Sequence, residues 1–401
     1  MGPEKALLRE GRLNEASRKR RVRKNDILEL IPFNIQGNKA ALLSNSLGNL
    51  VIKGARTSNR VIDAFAGTGL YLHFLRDAGI KVPMILNEFD SYRYITHLQI
   101  KENPFAVVIA AEYYVDHLKK MVDPFEDGEL FGSEAMKAQV EIRDFFQREA
   151  ERLVEPGQDL FSLFKDKQPV KLKKTPELAA LYLVMQNTKF GYRPIQADAT
   201  KSGLSKIGGP HEMKALGKIN GKIKTFATGK KILFDLDGRI KAVHNRMKNV
   251  SVYNGDGWAL IRDIAGNGDF LPVDTSYLGK ETSNYNKATR EDCNPEIYMR
   301  KIYDCIIPAM KRGAKFLITN NWDAAIVAEL ETLGFTIKKV YRAKGTSRDN
   351  TEFAAINFRE TTGAIYRRRK ALGSATAVRV QTQTDGNGRE DACAASSRRV
   401  A

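Results

Sequence analysis

The stretch from Arg60 to Glu88 constrains the fold more than any other part of the chain. Arg60 to Phe65 (RVIDAF) is a short apolar run ended by two closely spaced glycines, Gly67 and Gly69. Leu70 to Ala78 then has helical spacing, and Pro83 to Asn87 (PMILN) is a second strand-like run. A predicted helix from Tyr92 to Lys101 continues the alternation. Strand, glycine turn, helix and strand in that order open a doubly wound parallel sheet. Glycines in such a turn let the backbone approach a ligand, and the first turn of the next helix offers free N–H donors. Glu88 closes the second strand, where nucleotide-binding sheets place a carboxylate to accept ribose hydroxyls.

The same alternation returns near the other end of the chain. Lys315 to Asn320 (KFLITN) reads as a strand, Ala324 to Leu333 as a helix, and Thr336 to Tyr341 and Phe353 to Phe358 as strands. One α/β sheet is therefore expected from residues 27–104 and 249–358, with residues 105–248 inserted between them. Phe105 to Val154 is largely helical in pattern and balanced in charge. From Lys165 to Lys231 basic residues far outnumber acidic ones, and Phe190, Tyr192, Arg193 and Phe226 are interleaved with them. Basic groups for phosphates, with aromatic and arginine side chains for bases, suit a DNA-reading surface. A solvated lysine-rich excursion is the plainer alternative.

Charge points the same way. Lys and Arg number 65 against 47 Asp and Glu, a net +18, which favours a polyanionic partner through counterion release. Residues 1–26 carry the run Arg18 to Lys24 (RKRRVRK), read as a basic arm, and residues 359–401 turn small and polar, read as a disordered tail. No run approaches the roughly 20 apolar residues of a membrane span. Met1 to Asp26 is too charged for a secretion signal, so a cytoplasmic location is expected. Cys293, Cys305 and Cys393 lack CxxC spacing and the five histidines are scattered; free thiols and no metal centre are expected.

A further glycine turn precedes an apolar helical stretch at Pro32 to Lys39 (PFNIQGNK). Taken together, the motifs resemble the Dam-type, alpha-order family of bacterial and phage DNA adenine methyltransferases. That family has an aromatic residue before Gly-Gly/Asn-Lys, matched by Phe33, Gly37, Asn38 and Lys39. Its Asp-x-Phe-x-Gly-x-Gly is matched by Asp63, Phe65, Gly67 and Gly69, and its Asn-Asp/Glu and Lys-x-Asn-Pro by Asn87, Glu88 and Lys101 to Pro104. Leu181 to Arg193, Lys248 to Ile261, Phe316 to Asn320 and Glu352 to Phe358 resemble later family segments in the same order.

The resemblance implies a Rossmann-like S-adenosylmethionine (AdoMet) sheet with an inserted, mainly helical target-recognition domain, acting on double-stranded DNA. Phe33, Asn38 and Lys39 would belong to the cofactor site, with Lys39 on the AdoMet carboxylate. Gly67 and Gly69 would line the methionine part beside Asp63 and Phe65, Glu88 would hold the ribose, and Asp256 would approach the adenine ring. The family usually follows that aspartate with Phe; here Gly257 and Trp258 follow. Lys189, Tyr192 and Arg193 would contact DNA, with a structural salt bridge the alternative for Arg193.

The family's catalytic Asp-Pro-Pro-Tyr corresponds to Asp274-Thr275-Ser276-Tyr277, where both prolines are replaced. The adenine amino nitrogen shares its lone pair with the ring and is a poor nucleophile. A carboxylate and a backbone carbonyl that each accept one N–H make it more tetrahedral; Asp274 and the Thr275 carbonyl are the candidates. Tyr277 would stack on a base rotated out of the duplex. The prolines would add fixed φ angles, not a reacting group. Three other outcomes remain open: an ordinary strand-end turn capped by Asp274, a DNA-binding descendant without turnover, and transfer to RNA adenine or a cytosine amino group.

Overall fold

The computed structural model describes residues 27–28, 30–33, 39–44, 46–122, 133–157, 171–188, 216–219, 222–225, 236–279, 291–341, 351–359, 364–365 and 381–382. The strands are β1 (Arg60–Asp63), β2 (Met84–Asn87), the hairpin β3 (Leu216–Ile219) and β4 (Lys222–Thr225), β5 (Val250–Tyr253), β6 (Asp269–Asp274), β7 (Lys315–Asn321), β8 (Thr336–Tyr341) and β9 (Thr351–Ile356). Seven of them form one sheet in the order β5-β2-β1-β6-β7-β9-β8. Neighbours from β5 through β7 are parallel, and β9 runs antiparallel between β7 and β8. The architecture is α/β with a mixed, mostly parallel sheet, compatible with a Rossmann-like fold. The strand order changes direction between β1 and β6, and in open α/β sheets ligands bind beyond the strand carboxyl ends at such a switch point.

The strands are short and apolar because helices cover both faces of the sheet. With a side-chain period of two, Val61, Leu86, Phe270 and Leu317 enter one core, while Ile62, Ile85, Leu271 and Ile318 enter the other. The first face is covered by Ser46–Arg56, Leu70–Asp77, Ser91–Glu102 and, farther out, Pro104–Val122 and Pro176–Thr188. Gly54 lies on the ring of Phe270, where a Cβ would overlap it, so helix Ser46–Arg56 sits close on β6. The second face is covered by Gly257–Ile264, Pro295–Lys301 and Ala324–Thr332.

Pro176–Thr188 is buried on every side from Leu178 onward, as an all-round apolar helix must be. Its Tyr182 stacks on Tyr92 and meets Phe33 edge-on, so this helix shares the core of the sheet. Pro104–Val122 and Ser133–Arg152 fulfil the helical pattern of that interval. The hairpin β3–β4, inside the basic stretch, has no counterpart in the sequence reading. The basic arm lies outside the described residues. Of the expected tail beyond residue 359, only Ala364–Ile365 and Gln381–Thr382 are described, and they pair antiparallel. Among the described residues no helix is long and apolar enough to cross a membrane. None of their His, Cys, Asp and Glu side chains form a group of three or more that could hold a metal ion. Cys293 and Cys305 are buried and not joined in a disulfide, and Cys393 lies outside the described residues.

Candidate active site

β1, β2, β6 and β7 end along one edge of the sheet at Asp63, Asn87, Asp274 and Asn321, and β9 begins at that edge with Thr351 and Glu352. The turn after β1 needs its glycines: Gly67 and Gly69 have φ of 54° and 70°, in the left-handed region that L side chains avoid. Behind the turn His97 Nε2 lies 2.9 Å from the Gly67 carbonyl oxygen. A carbonyl only accepts, so Nε2 carries the proton. Burial drives the His97 pKa down to about 4 and that of the adjacent His73 well below the usual range, so both rings are neutral. Phe33 is fully buried against His97 and Tyr182, in the layer beneath the turn.

The carboxylates around the turn differ in how they are held. Asp63 is buried, and its Oδ2 has no hydrogen-bond partner. Burial, then the nearby Asp274 and Glu88, push its pKa well above the usual range. Glu88 is buried too, but its Oε1 accepts from the Asp90 N–H at 2.9 Å and from Arg93 Nη2 at 3.1 Å. Burial raises its pKa and Arg93 counters part of the rise. Asn87 donates to the Ala64 and Gly255 carbonyls, tying the loops after β1 and β5 together.

Asp256 is exposed and caps helix Gly257–Ile264 by accepting from the Trp258 N–H at 2.9 Å. The Gly at 257 has a steric reason. A Cβ there would overlap the Ala64 carbonyl oxygen and the Phe65 ring, so the Phe usual in the resembled family has no room. Phe65 meets the ring of Trp258 edge-on, and Trp258 Nε1 donates to Asp292.

The Asp274–Tyr277 segment leaves β6 and is fastened at several points. Asn320, fully buried, donates Nδ2 to Thr275 Oγ1 (3.3 Å) and to the Ser276 carbonyl (3.1 Å), and its Oδ1 accepts the Leu278 N–H (3.1 Å). Asn321 Nδ2 donates to the Leu278 carbonyl at 3.0 Å. Lys39 Nζ, from across the sheet face, lies 3.0 Å from Asp274 Oδ1, 2.7 Å from Glu352 Oε2 and 3.0 Å from the Tyr277 hydroxyl. Burial alone would lower the Lys39 pKa, but Asp274, Tyr277 and Glu352 outweigh it and hold the ammonium well above the usual range. Thr319 Oγ1 also donates to Asp274 Oδ1, at 3.3 Å. Both contacts act on one oxygen; Asp274 Oδ2 takes no hydrogen bond among the described residues and remains an acceptor.

The edge thus brings together Asp63, Phe65, Gly67, Gly69, Glu88, Asp274, Thr275 and Tyr277, with Lys39 fastened to the tetrapeptide. Asn38, Lys189, Tyr192 and Arg193 lie outside the described residues. Sequence reading assigned no role to Asn320, Glu352, Arg93 or His97. The available signals were polar residues at strand ends, Asn320-Asn321 and Glu352, where an apolar run meets the carboxyl edge.

No family model matches the chain, and no curated protein matches it in sequence. Fold and site together define an α/β protein with acidic side chains and a glycine turn gathered at the switch point of its sheet. The particular chemistry of that site rests on its residues.

Proposed function

We propose that the chain is an AdoMet-dependent methyltransferase that modifies the exocyclic amino group of adenine in double-stranded DNA. One observation carries this reading: the glycine turn and Asp63 at the end of β1 stand beside the Asp274–Tyr277 loop at the end of the paired parallel strand β6, at the switch point. The donor set fits the cofactor. A cationic ligand would offset the buried carboxylate of Asp63, whose Oδ2 has no partner. Glu88, oriented by Arg93, suits a ribose diol. Bound there, AdoMet would supply a methyl group already activated by its sulfonium.

The chain's own work is then positioning. Asp274 Oδ2 would accept one N–H of the target amino group and the Thr275 carbonyl the other, with the half-buried Tyr277 ring stacking on the extruded base. Lys39 serves the tetrapeptide in this reading, not the AdoMet carboxylate. The interval 105–248 would be the target-recognition insert, and the net charge of +18 supports nucleic acid as its partner.

A second reading, binding of DNA and AdoMet without turnover, is favoured by Thr275 and Ser276 standing where the resembled family has prolines. Labelled AdoMet, mixed-sequence duplex DNA and an Asp274→Ala control separate the two. Methyl-labelled adenine after digestion to nucleosides is the expected result. No label in DNA, with both ligands bound tightly, would leave only the second reading, and label in cytosine or only in RNA would change the acceptor.

A further inference from the structure

We propose, resting on the reading above, that Glu352 is a positioning residue that sets the Tyr277 ring and keeps Lys39 off Asp274 Oδ2. Its two oxygens divide the task. Oε2 takes the Lys39 ammonium at 2.7 Å and Oε1 accepts the Tyr277 hydroxyl at 3.1 Å, while Lys39 Nζ itself donates to that hydroxyl at 3.0 Å. The three groups close a ring of hydrogen bonds, and Lys39 Nζ stands 4.5 Å from the Tyr277 ring centroid. Tyr277 is therefore fixed at its hydroxyl end, where the ammonium also sits.

Charge balance does not require Glu352. Asp274 alone neutralises Lys39, and a second buried carboxylate leaves one ammonium among two carboxylates, at a desolvation cost. What Glu352 adds is geometry. Its backbone is paired on both sides, opposite Asn321 of β7 and Val340 of β8, so it is held between two strands. Without it, Lys39 would have Asp274 as its one anionic partner among the described residues and could bridge both carboxylate oxygens, taking the acceptor meant for the substrate.

Glu352→Gln keeps the shape but removes the charge and replaces one acceptor oxygen with a donor NH2, so Lys39 and the Tyr277 hydroxyl can no longer donate to two separate oxygens as they do here. In the full-length protein, single-turnover label transfer from AdoMet to mixed-sequence duplex DNA should fall about tenfold to a hundredfold. AdoMet affinity measured by calorimetry should stay within about twofold, since the contacts altered are those to Lys39 and Tyr277. Glu352→Gln and Tyr277→Phe should be non-additive in the transfer rate, because both cut the same hydrogen bond. Independently of transfer, the ring signal of Tyr277 in 13C-tyrosine NMR, assigned by its loss in Tyr277→Phe, should shift in Glu352→Gln. If wild type transfers label but Glu352→Gln transfers equally fast, the positioning role is wrong and the methyltransferase reading stands. If wild type transfers none, the NMR signal decides alone: a shift supports Glu352 as the anchor of Tyr277, and an unmoved signal overturns it.

Discussion

His97 gives the glycine turn a measurable pH dependence. Its folded pKa is about 4 against about 6.5 for an exposed histidine, with burial the main cause. A group whose folded pKa is depressed in this way binds its proton only on unfolding when the pH lies between the two values. The unfolded chain then holds more protons, so stability is lost as pH falls through 6.5 and the loss levels off near 4. Linkage for that shift gives about 2 kcal/mol lost between about pH 7.5 and pH 5 from His97 alone. Buried carboxylates with raised pKa values, Asp63 above all, act in the opposite sense, so the total slope is not diagnostic. The difference from His97→Gln is. Glutamine can still donate to the Gly67 carbonyl but does not titrate, and it leaves Asp63 and His73 in place. Urea unfolding of both proteins at the two pH values should show wild type losing about 2 kcal/mol more than the variant. Parallel profiles, within about 0.5 kcal/mol, would refute the claim that His97 is buried neutral behind the turn.

Asn320→Ala removes three hydrogen bonds to the tetrapeptide loop. It should cost about 2–3 kcal/mol of stability by denaturant titration and slow label transfer at least about tenfold, with AdoMet binding retained. Gly257→Ala pushes a methyl group into the Ala64 carbonyl and Phe65 ring and should lower stability by about 1–3 kcal/mol in thermal unfolding. Asp63→Asn should weaken AdoMet binding about tenfold by calorimetry. Because the Asp63 pKa is raised, wild-type affinity for this cation should climb with pH as the carboxylate ionises, and that climb should vanish in the variant.

The strand–turn–helix alternation was legible because it is local. Arg60 to Asn87 places β1, the glycine turn, the next helix and β2 close to where they stand, since apolar period and glycine position suffice for each. Asp63 and Glu88 could be picked out for the same reason, each being an acid at the end of an apolar run, whereas Asp274 was reached through the resemblance to Asp-Pro-Pro-Tyr. Partners were not legible. Lys39 and Glu352 are 313 residues apart and Lys39 and Tyr277 are 238 apart; nothing local states that their side chains meet. His97 reads as one more polar residue in a helix until the Gly67 carbonyl is found beside it. Pro176–Thr188 defeats period-based reading altogether, because a helix buried on all sides has no polar face. Gly257 was visible as a departure from the resembled family, but its cause lies on another loop, at Ala64 and Phe65.

The missing prolines are the clearest case of this division between local and distant information. A proline restricts its own φ and needs no partner, so its rigidity can be read from sequence and survives partial loosening of the fold. In this chain the equivalent restraint on Thr275 to Leu278 comes from Asn320 and Asn321, at the carboxyl end of β7. Those side chains are aimed only while β7 stays paired with β9, and Glu352 on β9 fixes Tyr277 from the same edge. Loop order is thereby coupled to sheet order. Any substitution that frays the β7–β9 edge, such as a proline at Phe353, should release Asn320, Lys39 and Tyr277 together, although none of them has been changed.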